Sequence, residues 1–153
     1  MGVMRYRQGD LIQALKNDEV GVIAHQANCM NTMGSGVAKA IRENFPEAYA
    51  ADLETERGDV DKLGTYSFAE NKYGLIFNLY GQYNYGRDGS HYTQLASLEE
   101  ALENMAMHLT DIGYKGKIGI PKLGCGLGGA DWNQVSRIVA RALDNFEVIV
   151  YSI

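Results

Sequence analysis

Apolar and polar positions follow two rhythms along this chain, and the switches between them mark strand–helix units. Met1 to Gln8 sets Val3, Arg5 and Arg7 against Met4 and Tyr6, the period-two pattern of a strand. Leu11-Ile12-Gln13-Ala14-Leu15 then takes helical spacing behind Gly9-Asp10. Val20 to His25 is a nearly continuous apolar run, which predicts a strand buried on both faces. A helix is predicted from Gly36 or Val37 through Ala38, Ile41 and Phe45, where Pro46 interrupts it. Helical spacing resumes from Glu47 to Arg57 and stops at Gly58. Leu63 to Glu70 and Tyr73 to Tyr80 read as strands. Thr93 to Ile112 is the longest predicted helix, with Leu95, Leu98, Leu102, Met105 and Leu109 along one stripe. His108 falls beside that stripe and reads as a packed or surface histidine. Ile118 to Ile120 ends another buried strand, Trp132 to Asn145 gives a helix, and Phe146 to Ile153 closes the chain as a strand. Alternating strands and helices predict a three-layer α/β domain with a mostly parallel sheet, its terminal strands making the sheet mixed.

The length of 153 residues fits a single domain, 1–153. A net charge of -5 argues against a general electrostatic grip on nucleic acid or an anionic membrane, but it permits one small phosphorylated ligand. Cys29 and Cys125 are too few for a disulfide framework, so a reducing, cytoplasmic setting is expected. Cys29, Cys125, His25, His91 and His108 show no four-ligand zinc spacing, and no metal is expected. No apolar run approaches the ~18 residues that a membrane span needs.

The chemistry concentrates after the predicted strand ends. Gly124, Gly126, Gly128 and Gly129 fall within six residues after Ile118–Ile120, and Asp131 stands where it can cap the following helix. A strand, a glycine loop and a helix N-terminus together bind anions, because the backbone can approach a phosphate and its N–H groups face it. The loop is neither a Walker A sequence nor a GxGxxG fingerprint, so it reads as another phosphate cradle or as a tight turn that binds nothing. A second such unit follows Val20–His25: His25-Gln26-Ala27-Asn28-Cys29, then Met33-Gly34-Ser35-Gly36-Val37. Ligands in such sheets bind outside the strands' carboxyl ends, so the two loops predict the walls of one cleft. Asp10 is a helix cap or a ligand acceptor. The loop from Gly81 to Gly89, rich in aromatic and amide groups, is a surface turn or a platform for a base or sugar.

These motifs, in this order, resemble the macrodomain family of ADP-ribose-binding modules over nearly the whole chain. The resemblance implies an α/β/α macrodomain sandwich with ADP-ribose across the strand ends and no cofactor. It implies that Asp10, followed by Leu11, accepts from the adenine amino group. Ala27, Asn28, Gly34, Ser35, Gly36 and Val37 would surround the distal ribose and diphosphate. Gly124, Cys125, Gly126, Leu127, Gly128 and Gly129 would form the second diphosphate loop. Gly124-Cys125-Gly126-Leu127 and Asp131-Trp132, with Asn78 to Gln82 before them, are similar to the branch that holds ADP-ribose 1″-phosphate phosphatases and ADP-ribosyl-glutamate hydrolases. The hydrolases place Lys where this chain has Gln82 and Asp where it has Gly128, so lysine adduct chemistry is not expected. His25, Asn28 and Asp131 are then the candidate catalytic groups, with His25 donating a proton or orienting water; a structural histidine at a strand end is the alternative for His25. The implied functions are removal of the 1″-phosphate, release of ADP-ribose from a modified protein or nucleic acid, or reading of ADP-ribose without turnover.

Overall fold

A computed structural model describes residues 2–86 and 91–153. The strands are β1 (Val3–Gln8), β2 (Val22–Ala27), β3 (Tyr66–Asn71), β4 (Gly74–Tyr80), β5 (Lys117–Ile120) and β6 (Glu147–Ser152). They form one sheet in the order β1-β6-β5-β2-β4-β3. The helices are α1 (Leu11–Lys16), α2 (Gly36–Asn44), α3 (Pro46–Leu53), α4 (Leu95–Asp111) and α5 (Trp132–Ala142), and a 3-10 turn spans Val60–Lys62. Both terminal strands pair in parallel, β1 with β6 and β6 with β5. The antiparallel member is instead β3, joined to β4 by the short turn at Asn71–Gly74. A tight hairpin can only return antiparallel, whereas a parallel return needs a crossover of a dozen or more residues.

The sheet separates two apolar layers. On one face Val22, Ala24, Phe77, Leu79, Ile118 and Ile120 pack against Leu98, Leu102 and Met105 of α4 and Val135 and Val139 of α5. On the other, Ile23, Ile76, Ile149 and Tyr151 pack under α1, α2 and α3 through Leu15, Ile41 and Ala48. The alternation along β2 produces this division: Val22 and Ala24 point one way, Ile23 and His25 the other. Helix α3 ends at Leu53, short of the predicted Arg57, because Thr55 turns the chain by bonding back to the carbonyl of Asp52 at 2.6 Å. His108 is packed as expected: its Nδ1 meets the Tyr66 hydroxyl at 2.7 Å, and its ring stands edge-on to Phe68 and Phe77.

Candidate functional site

Strands β2 and β5 are neighbours in the sheet, so the loops leaving their carboxyl ends face each other. Between those loops lies a cleft of about 890 Å³, large enough for a dinucleotide-sized ligand. Its walls include Ala27, Asn28, Gly34, Ser35, Gly36 and Val37 on one side and Gly124, Gly126, Leu127 and Gly128 on the other. Gln82 and Tyr85 also line it. Residues 87–89 of the Gly81–Gly89 loop lie outside the described residues.

Some of the glycines in these loops answer a backbone need. Gly36 opens α2 at φ +56, and Gly124 turns at φ +71, where a Cβ would lie 2.6 Å from Thr93 Oγ1. Gly34 and Gly126 differ: a Cβ on either would meet no atom within 4 Å, so each leaves empty space in the cleft wall. The amides of Gly126, Leu127 and Gly128 have no acceptor among the described residues. The first amides of α2 are orphaned by helix geometry, and Gly36, Val37 and Ala38 of that turn line the cleft. Among the described residues lining the cleft none is Asp or Glu, whereas Arg42 and Lys122 are both present. In a chain of net charge -5 that is a local reversal of sign, and it favours an anionic ligand.

His25 lies within β2, 1 % exposed, opposite Asn78 of β4. Asn78 Nδ2 donates to the Ala48 carbonyl at 3.0 Å and to Ser67 Oγ at 2.9 Å. Its Oδ1 therefore accepts, and His25 Nε2–H donates to it at 2.6 Å. The neutral ring then carries its proton on Nε2, and Nδ1 is buried, with no hydrogen-bond partner among the described residues. Burial pushes the imidazole pKa down to about 4, with hydrogen bonding to Asn78 and to the Gln26 backbone opposing the shift. A ring neutral at pH 7 with its one proton held by Asn78 has none to give, so the expected general-acid role does not suit this environment. The residue nonetheless belongs to the lining of the cleft.

Asn28 also lines the cleft, and its side chain knots its own loop. Nδ2 donates to Thr32 O at 3.1 Å and to Thr32 Oγ1 at 3.0 Å, while Oδ1 accepts from the Met30 amide at 2.8 Å. Asp131 stands apart. It is exposed, caps α5 by accepting from the Asn133 amide at 3.2 Å, and is not part of the described lining. A carboxylate already committed to the first turn of α5, with no face on the cleft, falls outside the candidate catalytic set.

Asp10 similarly caps α1 through the Ile12 amide at 2.9 Å, and neither it nor Leu11 lines the cleft. Leu11 is 6 % exposed and belongs to the core beneath α1. Cys125 turns inwards, with Sγ on the Leu123 carbonyl at 3.3 Å, and burial raises its thiol pKa. Gly129, at φ +78, serves the turn back into α5. Cys125 and Gly129 thus shape the second loop from behind.

Periodicity gave no sign of the polar clamp behind that loop. Gln26 Nε2 donates to Gln82 Oε1 at 2.6 Å and to Thr93 Oγ1 at 2.8 Å. Thr93 Oγ1 donates in turn to the Gly124 carbonyl at 2.9 Å, and the amides of Tyr92 and Thr93 both reach Gly128 O at 2.9 Å. Gln82, whose Nε2 also holds the Asn84 carbonyl at 2.6 Å, is therefore a strut between loops. Arg42 and Tyr49 are further lining residues that sequence reading missed. The guanidinium lies 5.6 Å from the Tyr49 ring centroid. Ala38 and Arg42 are four residues apart on α2, a same-face spacing that could have flagged Arg42.

The fold and site together define a three-layer α/β sandwich whose paired glycine loops frame an anion cleft at the strand ends. The Macro domain family matches residues 24–139, and the chain belongs to that family. It is 32 % identical over 157 residues to an uncharacterised 17.5 kDa protein of the tk-vs intergenic region of Enterobacteria phage T4, covering 97 % of this chain and 95 % of that one. It is 27 % identical to a DNA ADP-ribosyl glycohydrolase of Thermus aquaticus, over 95 % of this chain but only 39 % of the relative's length. Among solved structures, the macrodomain of Thermus aquaticus DarG superposes with a TM-score of 0.81, at 27 % identity and full coverage of both chains. Thermosipho africanus DarTG in complex with ADP-ribose shares the fold, with a TM-score of 0.77 at 18 % identity, covering 97 % of this chain and 41 % of that one.

Proposed function

We propose that this macrodomain binds ADP-ribose in the cleft and hydrolyses the linkage at its distal ribose, with ADP-ribosylated nucleic acid as the substrate class. The observation that carries the binding reading is the cleft itself: two glycine-lined walls with open amides, two cations and no described carboxylate. A diphosphate would lie between Gly34–Gly36 and Gly126–Gly128, held by N–H groups and the N-terminal dipole of α2. The nucleic-acid substrate is favoured by relatives named DNA ADP-ribosyl glycohydrolase, of which this chain spans less than half the length.

In the hydrolytic step water attacks the anomeric carbon of the distal ribose, the bond to the modified group breaks with its electron pair passing to that group, and the proton the water loses ends on the leaving group. His25, a lining residue whose Nε2–H is held by Asn78, would help orient the water or a ribose hydroxyl rather than supply the leaving group's proton. Asn28 would shape the loop around the sugar. Binding without turnover is favoured by one feature, the absence of a described carboxylate base in the lining. Removal of a 1″-phosphate would use the same cradle with an additional anion near Arg42 or Lys122.

The deciding experiment incubates the purified protein separately with an ADP-ribosylated oligonucleotide, an ADP-ribosylated peptide and ADP-ribose 1″-phosphate. Phosphorus NMR and chromatography follow the products. Release of ADP-ribose from the oligonucleotide, lost in His25→Ala with ADP-ribose affinity held within a few-fold, is the expected result. Growth of free phosphate from the third substrate would move the activity to the phosphatase reading. Binding to all three with no product would leave a reader.

A further inference from the structure

Beneath the β2–α2 loop, outside the cleft, lies a buried cluster that the proposed reaction does not use. Lys62 is 6 % exposed, although lysine is rarely buried without partners. Its ammonium donates to Asn31 Oδ1 at 2.6 Å and to the Cys29 carbonyl at 3.2 Å, and sits 4.8 Å from the Tyr80 ring centroid. Tyr80 donates its hydroxyl to Asp52 Oδ1 at 2.6 Å. Asp52 is fully buried, and its second oxygen has no partner among the described residues. Burial lowers the lysine pKa and raises that of the carboxyl, and each charge opposes the other's shift.

Both residues that Lys62 grips belong to the turn that carries Asn28. Asn31 holds the left-handed conformation at φ 57, unusual outside glycine, and its Nδ2 donates to the Thr55 carbonyl at 2.8 Å. Cys29 joins that turn to the Gln82–Tyr83 segment: its amide donates to Tyr83 O at 2.9 Å and its thiol to Gln82 O at 3.5 Å. Its carbonyl also accepts from the Gly58 amide at 2.7 Å, and the Tyr83 hydroxyl closes the ring on Gly58 O at 2.6 Å. One ammonium thus pins a strained turn whose neighbours, Asn28 in sequence and Gln82 in space, line the cleft. A buried charge is a costly means of stabilising a fold, since an apolar replacement of similar volume is often neutral or better. Its use here is better matched to geometry than to stability.

We propose that Lys62 is a positioning residue that holds the Cys29–Asn31 turn in the shape that admits the distal ribose. The inference rests on the ADP-ribose reading for the ligand it names and for its ligand assay.

The test compares the parent with K62M/D52N, which removes both charges at nearly constant volume and so leaves no lone buried ion. The double variant should remain folded at the assay temperature, yet bind ADP-ribose about tenfold or more weakly by calorimetry, or ~1.4 kcal/mol. In the unliganded protein, amide hydrogen exchange at Cys29, Met30 and Gly58 should accelerate while the α4 amides keep their protection. Parental affinity, or exchange altered equally everywhere, would overturn the proposal. Should the parent itself fail to bind ADP-ribose, the proposed function falls, and the ligand-free exchange pattern still decides the role of Lys62.

Discussion

Gly34 and Gly126 can be separated from the other loop glycines by what stands behind them. Neither has a positive φ, and a methyl group on either meets nothing in the empty protein. Gly34→Ala and Gly126→Ala should therefore fold with an unchanged unfolding temperature and lose ADP-ribose affinity by about tenfold or more, measured by calorimetry. Unchanged affinity would remove the diphosphate from that wall. Gly124→Ala should instead destabilise the protein, because it combines a positive φ with a contact to Thr93. His25 gives a pH signature. Its native pKa of about 4 lies below the value near 6.5 of an unfolded chain. Between those values the unfolded chain takes up a proton that the native state refuses, so stability falls as pH drops from 6.5 towards 4. The loss is of order 3 kcal/mol. His25→Asn should flatten that limb in paired chemical-denaturation curves from pH 7 to 4; an unchanged slope would show that the ring is not held neutral.

At the scale of elements, the two helix caps and the Thr93 clamp make different contributions. Asp131→Ala removes the α5 cap and should cost about 1 kcal/mol of stability. Turnover should be unaltered when assayed well below the unfolding temperature, because the carboxylate serves the helix. A large fall in rate would restore it to the reaction. Thr93→Val keeps the shape but strips the hydroxyl that accepts from Gln26 and donates to Gly124 O. It should destabilise by about 1–3 kcal/mol through the groups left unpaired, and weaken ADP-ribose binding because Gly124 to Gly128 lose their anchor. The existence of every strand and α-helix was legible from periodicity. The α3 terminus was not, because a side chain–backbone bond at Thr55 stops the helix where apolar spacing would let it run on.

For the whole molecule, charge sets the terms of recognition. An acidic chain with a locally cationic cleft should bind ADP-ribose more weakly as salt screens Arg42 and Lys122. Unmodified single-stranded DNA should not displace ADP-ribose in a fluorescence competition assay, whereas an ADP-ribosylated oligonucleotide should. Displacement by unmodified DNA would point to a backbone-binding surface that overlaps the cleft. The described residues contain no helix long and apolar enough to cross a membrane.

Sequence alone determined the α/β alternation, the two glycine loops at strand ends and the family, because each rests on local rules of periodicity, turn geometry and residue order. It could also name Asn28, the segment Gly34 to Val37 and the segment Gly124 to Gly128 as a zone, since each is tied to a strand end. Only the tertiary structure decided which of those residues face the ligand space. Asp10, read as a cap or a ligand acceptor, and Asp131, read as a cap and a candidate catalytic group, both cap helices in space, while Cys125 and Gly129 support their loop from behind. The hydrogen-bond partner of His25 is Asn78, 53 positions away, and the clamp at Thr93 comes from Gln26, 67 positions away. Protonation, tautomer and loop anchoring depend on partners brought together by sheet order, and sheet order is a property of the folded chain.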